Sequence, residues 1–294
     1  MDHGHALRRL FLGKRILTSL GVYDALSARL ACQLGAPSVY VTGFGAAASR
    51  LGVPDIGLMS MSEMAEHLRC IAGAVSCPII ADADTGYGGP ANVQRTVREY
   101  EKAGADVIQL EDQEWPKRCG HMEGKRLVPA EEMVRRIQVA VDTRKNPDTL
   151  IMARTDAIAV EGFDNAIRRA GAYQEAGADI LFVEAPRSDA EMVRIPQLLD
   201  RPCLANMVEG GKTPFKTVSD LKDMGYAIAL FPISILLAAA KAVRKVAETI
   251  LRDGSTQFLS EEIMTFEQFN ELIGLKAFSQ LIDGASMPNQ GGIR

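Results

Sequence analysis

The sequence predicts a TIM-type (β/α)8 barrel with a C-terminal helical extension, and three observations predict it. Eight short, β-rich apolar runs recur along the 294 residues, with helical patterns between them. That alternation is the signature of βαβ units in a parallel sheet. The segment 101–108 (Glu-Lys-Ala-Gly-Ala-Asp-Val-Ile) is echoed at 174–181 (Gln-Glu-Ala-Gly-Ala-Asp-Ile-Leu). Each copy reads as a helix end, a glycine suited to a left-handed cap, and a buried strand. No Gly-x-Gly-x-x-Gly follows the first strand, which argues against an open dinucleotide-binding sheet.

Taken in order, the strands are expected at 16–20, 38–42, 78–84, 106–112, 150–156, 179–184, 203–207 and 227–232. Helical patterns fall at 62–74, 91–103, 130–144 and 165–176 between them, with a further helix at 234–252 after the last strand. A polar turn, Asp253-Gly254-Ser255-Thr256, then leads to an amphipathic segment at 266–282. There Phe266, Phe269, Leu272, Ile273, Leu275 and Phe278 recur at helical spacing. A closed barrel does not need this segment, so its stripe must pack on its own barrel or on a neighbouring subunit. The expected organisation is one barrel over 1–252 and an extension, not an independent domain, over 253–294.

The composition fits a soluble enzyme or binding protein: 47% hydrophobic and 24% charged residues leave no room for a disordered or fibrous chain. A net charge of −4 provides no electrostatic footprint for nucleic acid or anionic membrane. The start, 1–15, is basic without a long apolar core, unlike a secretory signal. The most apolar stretch, 227–240, is too short to span a bilayer and contains Pro232. The five cysteines are scattered with no CxxC pair, so reduced thiols in a cytoplasmic protein are expected.

Chemistry-bearing residues gather where strands should end. Barrel chemistry sits at the C-terminal strand ends, and the echoed strands end in Glu111 and Glu184; a carboxylate alone there could equally cap a helix. Asp82 and Asp84 close the third strand two residues apart, a spacing that puts both on one strand face. Paired carboxylates repel unless a cation or proton sits between them. With no His or Cys adjoining, hard oxygen ligands favour Mg²⁺ or Mn²⁺, and Glu111 could complete the rim. Lys117-Arg118-Cys119-Gly120-His121 follows Glu111. Two cations and an imidazole around a thiol favour the thiolate, as an acid/base or nucleophilic cysteine requires. Gly120 and Gly124 suit a loop that closes as a lid.

On these residues the sequence resembles the isocitrate lyase and phosphoenolpyruvate mutase superfamily, over about 18–282. The Lys-Arg-Cys-Gly-His pentapeptide matches that superfamily's lyase signature. The segments 82–86 (Asp-Ala-Asp-Thr-Gly), 153–157 (Ala-Arg-Thr-Asp-Ala) and 206–211 (Asn-Met-Val-Glu-Gly-Gly) also match, in order, as does 52–55 (Gly-Val-Pro-Asp) with its loop aspartate. The resemblance implies that Asp84 ligates Mg²⁺ directly while Asp55, Asp82 and Glu111 hold its waters. It implies that Cys119 is the general acid on a closing loop shared with Lys117, Arg118, Gly120 and His121. Thr42, Gly43 and Arg154 would meet the carboxylate near the metal, and Tyr40 would be the base near the substrate hydroxyl. Glu184 would lie at the site floor and Asn206 would contact the second carboxylate. A homotetramer exchanging C-terminal helices would give 266–282 a place to pack.

The implied reaction is cleavage of a 2-hydroxy di- or tricarboxylate by a carbon–carbon lyase in the retro-Claisen sense. The metal acts as Lewis acid, a cation such as Arg154 answers the developing charge, and Cys119 delivers the proton. The segment 206–214 looks most like the 2,3-dimethylmalate lyase and petal-death branch, whereas 117–119 and 153–162 read like 2-methylisocitrate lyases. Phe44 replaces a small residue beside the substrate carboxylate and disfavours a tricarboxylate. The expected substrate is therefore of the 2,3-dimethylmalate type. The alternatives are 2-methylisocitrate cleavage, oxaloacetate hydrolysis and a non-catalytic dicarboxylate-binding barrel.

Overall fold

The structure is a computed structural model that describes residues 3–13, 15–120, 122–282 and 284. The first half runs α1 (His3–Leu12), β1 (Leu17–Val22), α2 (Ala25–Gln33), β2 (Ser38–Val41), α3 (Gly43–Leu51), α4 (Met61–Ala72), β3 (Ile79–Asp82), α5 (Pro90–Ala103) and β4 (Val107–Glu111). The second runs α6 (Ala130–Thr143), β5 (Leu150–Thr155), α7 (Ala157–Val160), α8 (Phe163–Glu175), β6 (Ile180–Val183), α9 (Asp189–Leu198), β7 (Cys203–Asn206), α10 (Val218–Met224) and β8 (Ile228–Phe231). Then come α11 (Ser234–Asp253), α12 (Phe266–Leu272) and α13 (Leu275–Ile282).

The eight strands pair in parallel, in sequence order, and the ring closes where β1 meets β8 in the register Leu17↔Ile228. Closure removes both sheet edges and divides the apolar residues into two cores. Leu17, Ile80, Val107, Met152, Ile180, Phe182, Leu204 and Leu230 fill the barrel's interior, and a second, larger core lies between the strands and the surrounding helices. The strands are buried on both faces, which is why they read as continuous apolar runs rather than alternating ones. In the echoed segments, Gly104 and Gly177 both take φ +103, a conformation that glycine adopts without a Cβ penalty.

Three local features depart from the sequence reading. The basic start forms α1, whose Leu7 is buried against the interior core. Arg8 of α1 pairs with Asp179 at 2.8 Å, and His3 approaches Asp106 at 3.3 Å. The third strand stops at Asp82, and Asp84 lies beyond it at φ +48, so a left-handed turn rather than strand alternation presents its carboxylate. The 266–282 helix breaks at Gly274, with φ +81, into α12 and α13. Both pieces leave large apolar side chains exposed, Phe266 and Ile282 at 84% and Phe278 at 48%. Among the described residues no helix is long and apolar enough to cross a membrane.

Candidate active site

The strand ends converge on a cavity of about 270 Å³ at the carboxyl mouth of the barrel. β2 brings Tyr40, and the turn into α3 brings Thr42 and Phe44. Asp82 comes from β3, Glu111 from β4, Arg154 from β5, Glu184 from just past β6 and Asn206 from β7. Asp55 reaches in from the α3–α4 loop. The loop between β4 and α6 lays Lys117, Arg118, Cys119 and Gly120 over the opening. Gly43 lies behind the wall, where a Cβ would stand 2.9 Å from Asp82 Oδ2. His121 lies outside the described residues.

Each supporting contact has a local cause. Thr42 is the N-cap of α3, its hydroxyl accepting from Gly45 N at 3.3 Å. Asp82 accepts from Asp84 N and from Gln109 Nε2, both at 3.1 Å. The loop is held by Gln113, whose side chain accepts from Arg118 N (2.9 Å) and donates to Arg118 O (2.8 Å). Deeper, Arg154 Nε donates to Asp156 Oδ2 at 2.9 Å, and Lys125 Nζ donates to Asp156 Oδ1 at 2.8 Å. Lys125 also donates to Gly120 O, which ties the Cys119 loop to the same carboxylate that orients Arg154. Arg154 lies 3.4 Å from both Glu111 and Glu184 and 4.9 Å above the Phe182 ring. Asn206 Nδ2 donates to Glu184 Oε2 at 3.1 Å.

Asp55, Asp82, Asp84 and Glu111 are all buried. The Lys117 ammonium stands between two of them, 2.6 Å from Asp55 and 2.7 Å from Asp84. Burial, with the charges of Asp82 and Asp55, pushes Asp84 up to about 7 despite Lys117. Burial also raises Glu111 well above the usual carboxylate range, against the pull of Arg154. Burial alone would lower Lys117 and Arg154, but the surrounding carboxylates hold both cations firmly protonated. Asp156 is depressed because Arg154 and Lys125 outweigh its burial.

This donor set fits a hard divalent cation. Glu111 Oε1 is buried without a hydrogen-bond partner among the described residues, the condition of an oxygen awaiting a cation or a metal-bound water. No three His, Cys, Asp or Glu side chains of the described residues converge as a closed cage. Mg²⁺ does not need one, since it keeps several waters and takes one or two carboxylates. Lys117 holds a cation's position between Asp55 and Asp84, which is the balance of charge that paired carboxylates require.

Tyr40, the expected base, stands at the cavity wall. Its phenol donates to Gln109 Oε1 at 3.0 Å. Burial and the charge of Asp82 push its ionisation well above the ordinary tyrosine value. Lys125, Asp156 and Gln113 were not singled out from sequence. The available signal was the segment 153–157, which holds Asp156 close to Arg154; β5 ends at Thr155, and Asp156 starts the turn into α7. Gly120 is packed so closely that a Cβ there would lie 2.4 Å from Arg154 Nη2 and 2.8 Å from Glu184. Gly120→Ala is therefore expected to lower kcat/KM by about 10²-fold through displaced groups. Steady-state kinetics beside a thermal melt would separate that from unfolding.

A closed barrel whose mouth gathers buried carboxylates, two held cations and a thiol is the architecture of an enzyme acting on small anionic molecules. Comparison with known proteins narrows that class. The phosphoenolpyruvate phosphomutase family model matches residues 7–251. The 2,3-dimethylmalate lyase of Eubacterium barkeri is 46% identical over 281 residues, covering 96% of this chain and 97% of that protein. A 2-methylisocitrate lyase of Aeropyrum pernix is 44% identical over 271 residues, covering 92% and 87%. Among solved structures, oxaloacetate acetylhydrolase with 3,3-difluorooxalacetate superposes with a TM-score of 0.91 at 36% identity, covering 98% of this chain and 99% of that one. Phosphonopyruvate hydrolase with oxalate and Mg²⁺ superposes at 0.87 and 32%, covering 96% and 99%. The chain belongs to the phosphoenolpyruvate mutase/isocitrate lyase superfamily.

Proposed function

We propose that this enzyme is a carbon–carbon lyase that cleaves a 2-hydroxy dicarboxylate of the 2,3-dimethylmalate type into pyruvate and a second carboxylate. The observation that carries the reading is that Cys119 shares one cavity with Arg154 and the acidic residues Asp82 and Glu111. A superfamily site built for carbon–carbon cleavage needs such an acid beside its charge-stabilising groups. The identity to the Eubacterium barkeri lyase supports the substrate class. So does Phe44, which lines the cavity where a smaller side chain is expected beside the substrate carboxylate.

Asp84, with Asp55, Asp82 and Glu111, would hold Mg²⁺ or Mn²⁺, which would supply Lewis-acid charge to the 2-hydroxy acid. Arg154, kept protonated by Asp156, Glu184 and Glu111, faces the carboxylate on which negative charge grows as the C2–C3 bond breaks. Cys119 gives its proton to the departing carbon, and the loop carrying Lys117, Arg118 and Gly120 covers the cavity and excludes water. Thr42, with the start of α3 at Gly43, binds the metal-side carboxylate, while Asn206 and Glu184 meet the distal one. Tyr40 is the base that takes the hydroxyl proton as the 2-oxo group forms.

The test is to incubate the protein with Mg²⁺ and each of 2,3-dimethylmalate, 2-methylisocitrate, isocitrate and oxaloacetate, following 2-oxo acid formation or oxaloacetate loss. Fastest pyruvate release from 2,3-dimethylmalate is expected, with chelation of the metal abolishing it. Faster pyruvate release from 2-methylisocitrate, the reading favoured by the Aeropyrum pernix relative, would replace the substrate. Turnover of none would overturn the lyase reading.

The same reading includes a cytoplasmic homotetramer in which α12 and α13 pack on a neighbouring subunit and cover their exposed apolar side chains. Phe266→Asp with Phe278→Asp is then expected to lower the mass measured by light scattering below four chains. An unchanged mass would remove these helices from the interface.

A further inference from the structure

The loop between β4 and α6 is fastened to the rest of the barrel mouth twice, and both fastenings span the same two loops. The ionic one is Lys117, which joins Asp55 of the α3–α4 loop to Asp84 of the β3–α5 loop. The apolar one lies two residues earlier, at Trp115, the chain's one tryptophan. Its indole lies on the bare face of Gly57 in the α3–α4 loop, where a Cβ would stand 3.0 Å from Cη2 and 3.1 Å from Cζ2. The same ring meets Tyr87 of the β3–α5 loop, with centroids 6.1 Å apart and planes tilted by 55°, within the range over which aromatic pairs attract.

Tyr87 is in turn tied to the site. Its hydroxyl lies 2.9 Å from that of Tyr100, and Tyr100 donates to Asp82 O at 3.0 Å. The Tyr100 proton is thereby committed, so Tyr87 is the donor of the pair. Tyr87 sits at φ +61, a conformation that a residue with a side chain keeps only where its surroundings over-determine it. Trp115 itself lies outside the cavity lining and is 45% exposed. We propose that Trp115 is a positioning residue: its indole docks the Cys119 loop on the loops that carry Asp55 and Asp84, and so sets Cys119 over the cavity. The catalytic consequence rests on the reading of Cys119 as the proton donor; the docking does not. The two fastenings differ in kind. Lys117 holds by charge, and any cation drawn to Asp55 and Asp84 competes with it. Trp115 holds by apolar and ring contacts that a cation leaves in place, so it keeps the loop docked when those carboxylates are engaged.

The experiment reads the loop without substrate. Parent, Trp115→Ala and Trp115→Phe are treated with iodoacetamide in the presence of Mg²⁺. Labelling of Cys119 is followed by mass spectrometry against the exposed Cys70 as internal standard. Limited trypsin digestion, run in parallel, follows cutting after Arg118. In Trp115→Ala both rates at the loop should rise about tenfold, the scale of a lost aromatic pair, while Cys70 labels as in the parent. Phenylalanine should restore most of the protection. On a substrate that turns over, Trp115→Ala should lower kcat with little change in KM, and Trp115→Phe should recover it. The parent gives a readout that needs no variant: emission of its sole tryptophan should shift to the red as trypsin cuts the loop. Equal labelling and cutting in parent and Trp115→Ala would overturn the proposal whatever substrate the enzyme takes. So would a cut loop with unmoved emission. Turnover of no substrate would remove the catalytic consequence, and the docking would stand or fall on the labelling.

Discussion

Replacing Cys119 by alanine is expected to lower kcat for carbon–carbon cleavage by about 10²–10⁴-fold, the range a positioned general acid contributes. The thiol lines the cavity with Arg154 and Glu184 and comes from the loop that Lys125 anchors through Gly120. Removing the sulfur deletes the proton donor and leaves the carboxylates and Arg154 in place. Metal affinity measured by calorimetry, and KM, should therefore move little while kcat collapses. Serine should rescue poorly because its hydroxyl is a far weaker acid than a thiol. Full turnover in Cys119→Ala would assign the proton to another group.

The second large effect is expected at Asp156, a residue whose role emerges only from the folded site. Its fully buried carboxylate holds Arg154 at 2.9 Å and Lys125 at 2.8 Å, and its backbone N–H donates to Asp112 Oδ1 at 3.0 Å. Asp156→Asn keeps the shape but removes the charge that two buried cations face. Breaking a buried ion pair from one side costs about 3–5 kcal/mol, so a clear fall in the denaturant midpoint is expected. Kinetics should show a parallel loss of kcat, since Arg154 and the Cys119 loop lose their shared anchor. The pH dependence has a definite sign. The folded-state pKa of Asp156 is depressed, so its stabilisation is present above the unfolded value of about 3.9 and is lost as pH falls below it. Urea midpoints for parent and variant should converge under acid. A stability gap that persisted there would place the effect elsewhere.

The barrel was legible because its signals are local. Each strand is a short apolar run, each following helix has its own period, and the glycines of 101–108 and 174–181 mark the turns between them. The acidic strand ends were legible for the same reason: Asp82 and Glu111 close β3 and β4 by position alone. Elements whose reason lies elsewhere in the chain were missed. α1 forms over a basic stretch because Leu7 finds the open bottom of the interior core and Arg8 finds Asp179, partners 171 residues away in sequence. The break at Gly274 went unseen because the apolar spacing runs straight through it.

The sequence by itself determined the class of fold and which residue types stand at the ends of its strands, because periodicity and strand polarity are written within short windows. Tertiary structure alone decided how those residues act on one another. It set Lys117 between Asp55 and Asp84, joined Tyr40 to Gln109 and joined Lys125 to Asp156. The reason is physical. Closing the barrel fixes which distant side chains share a dehydrated space, and in such a space charge, proton and thiol chemistry depend on neighbours rather than on the residue itself.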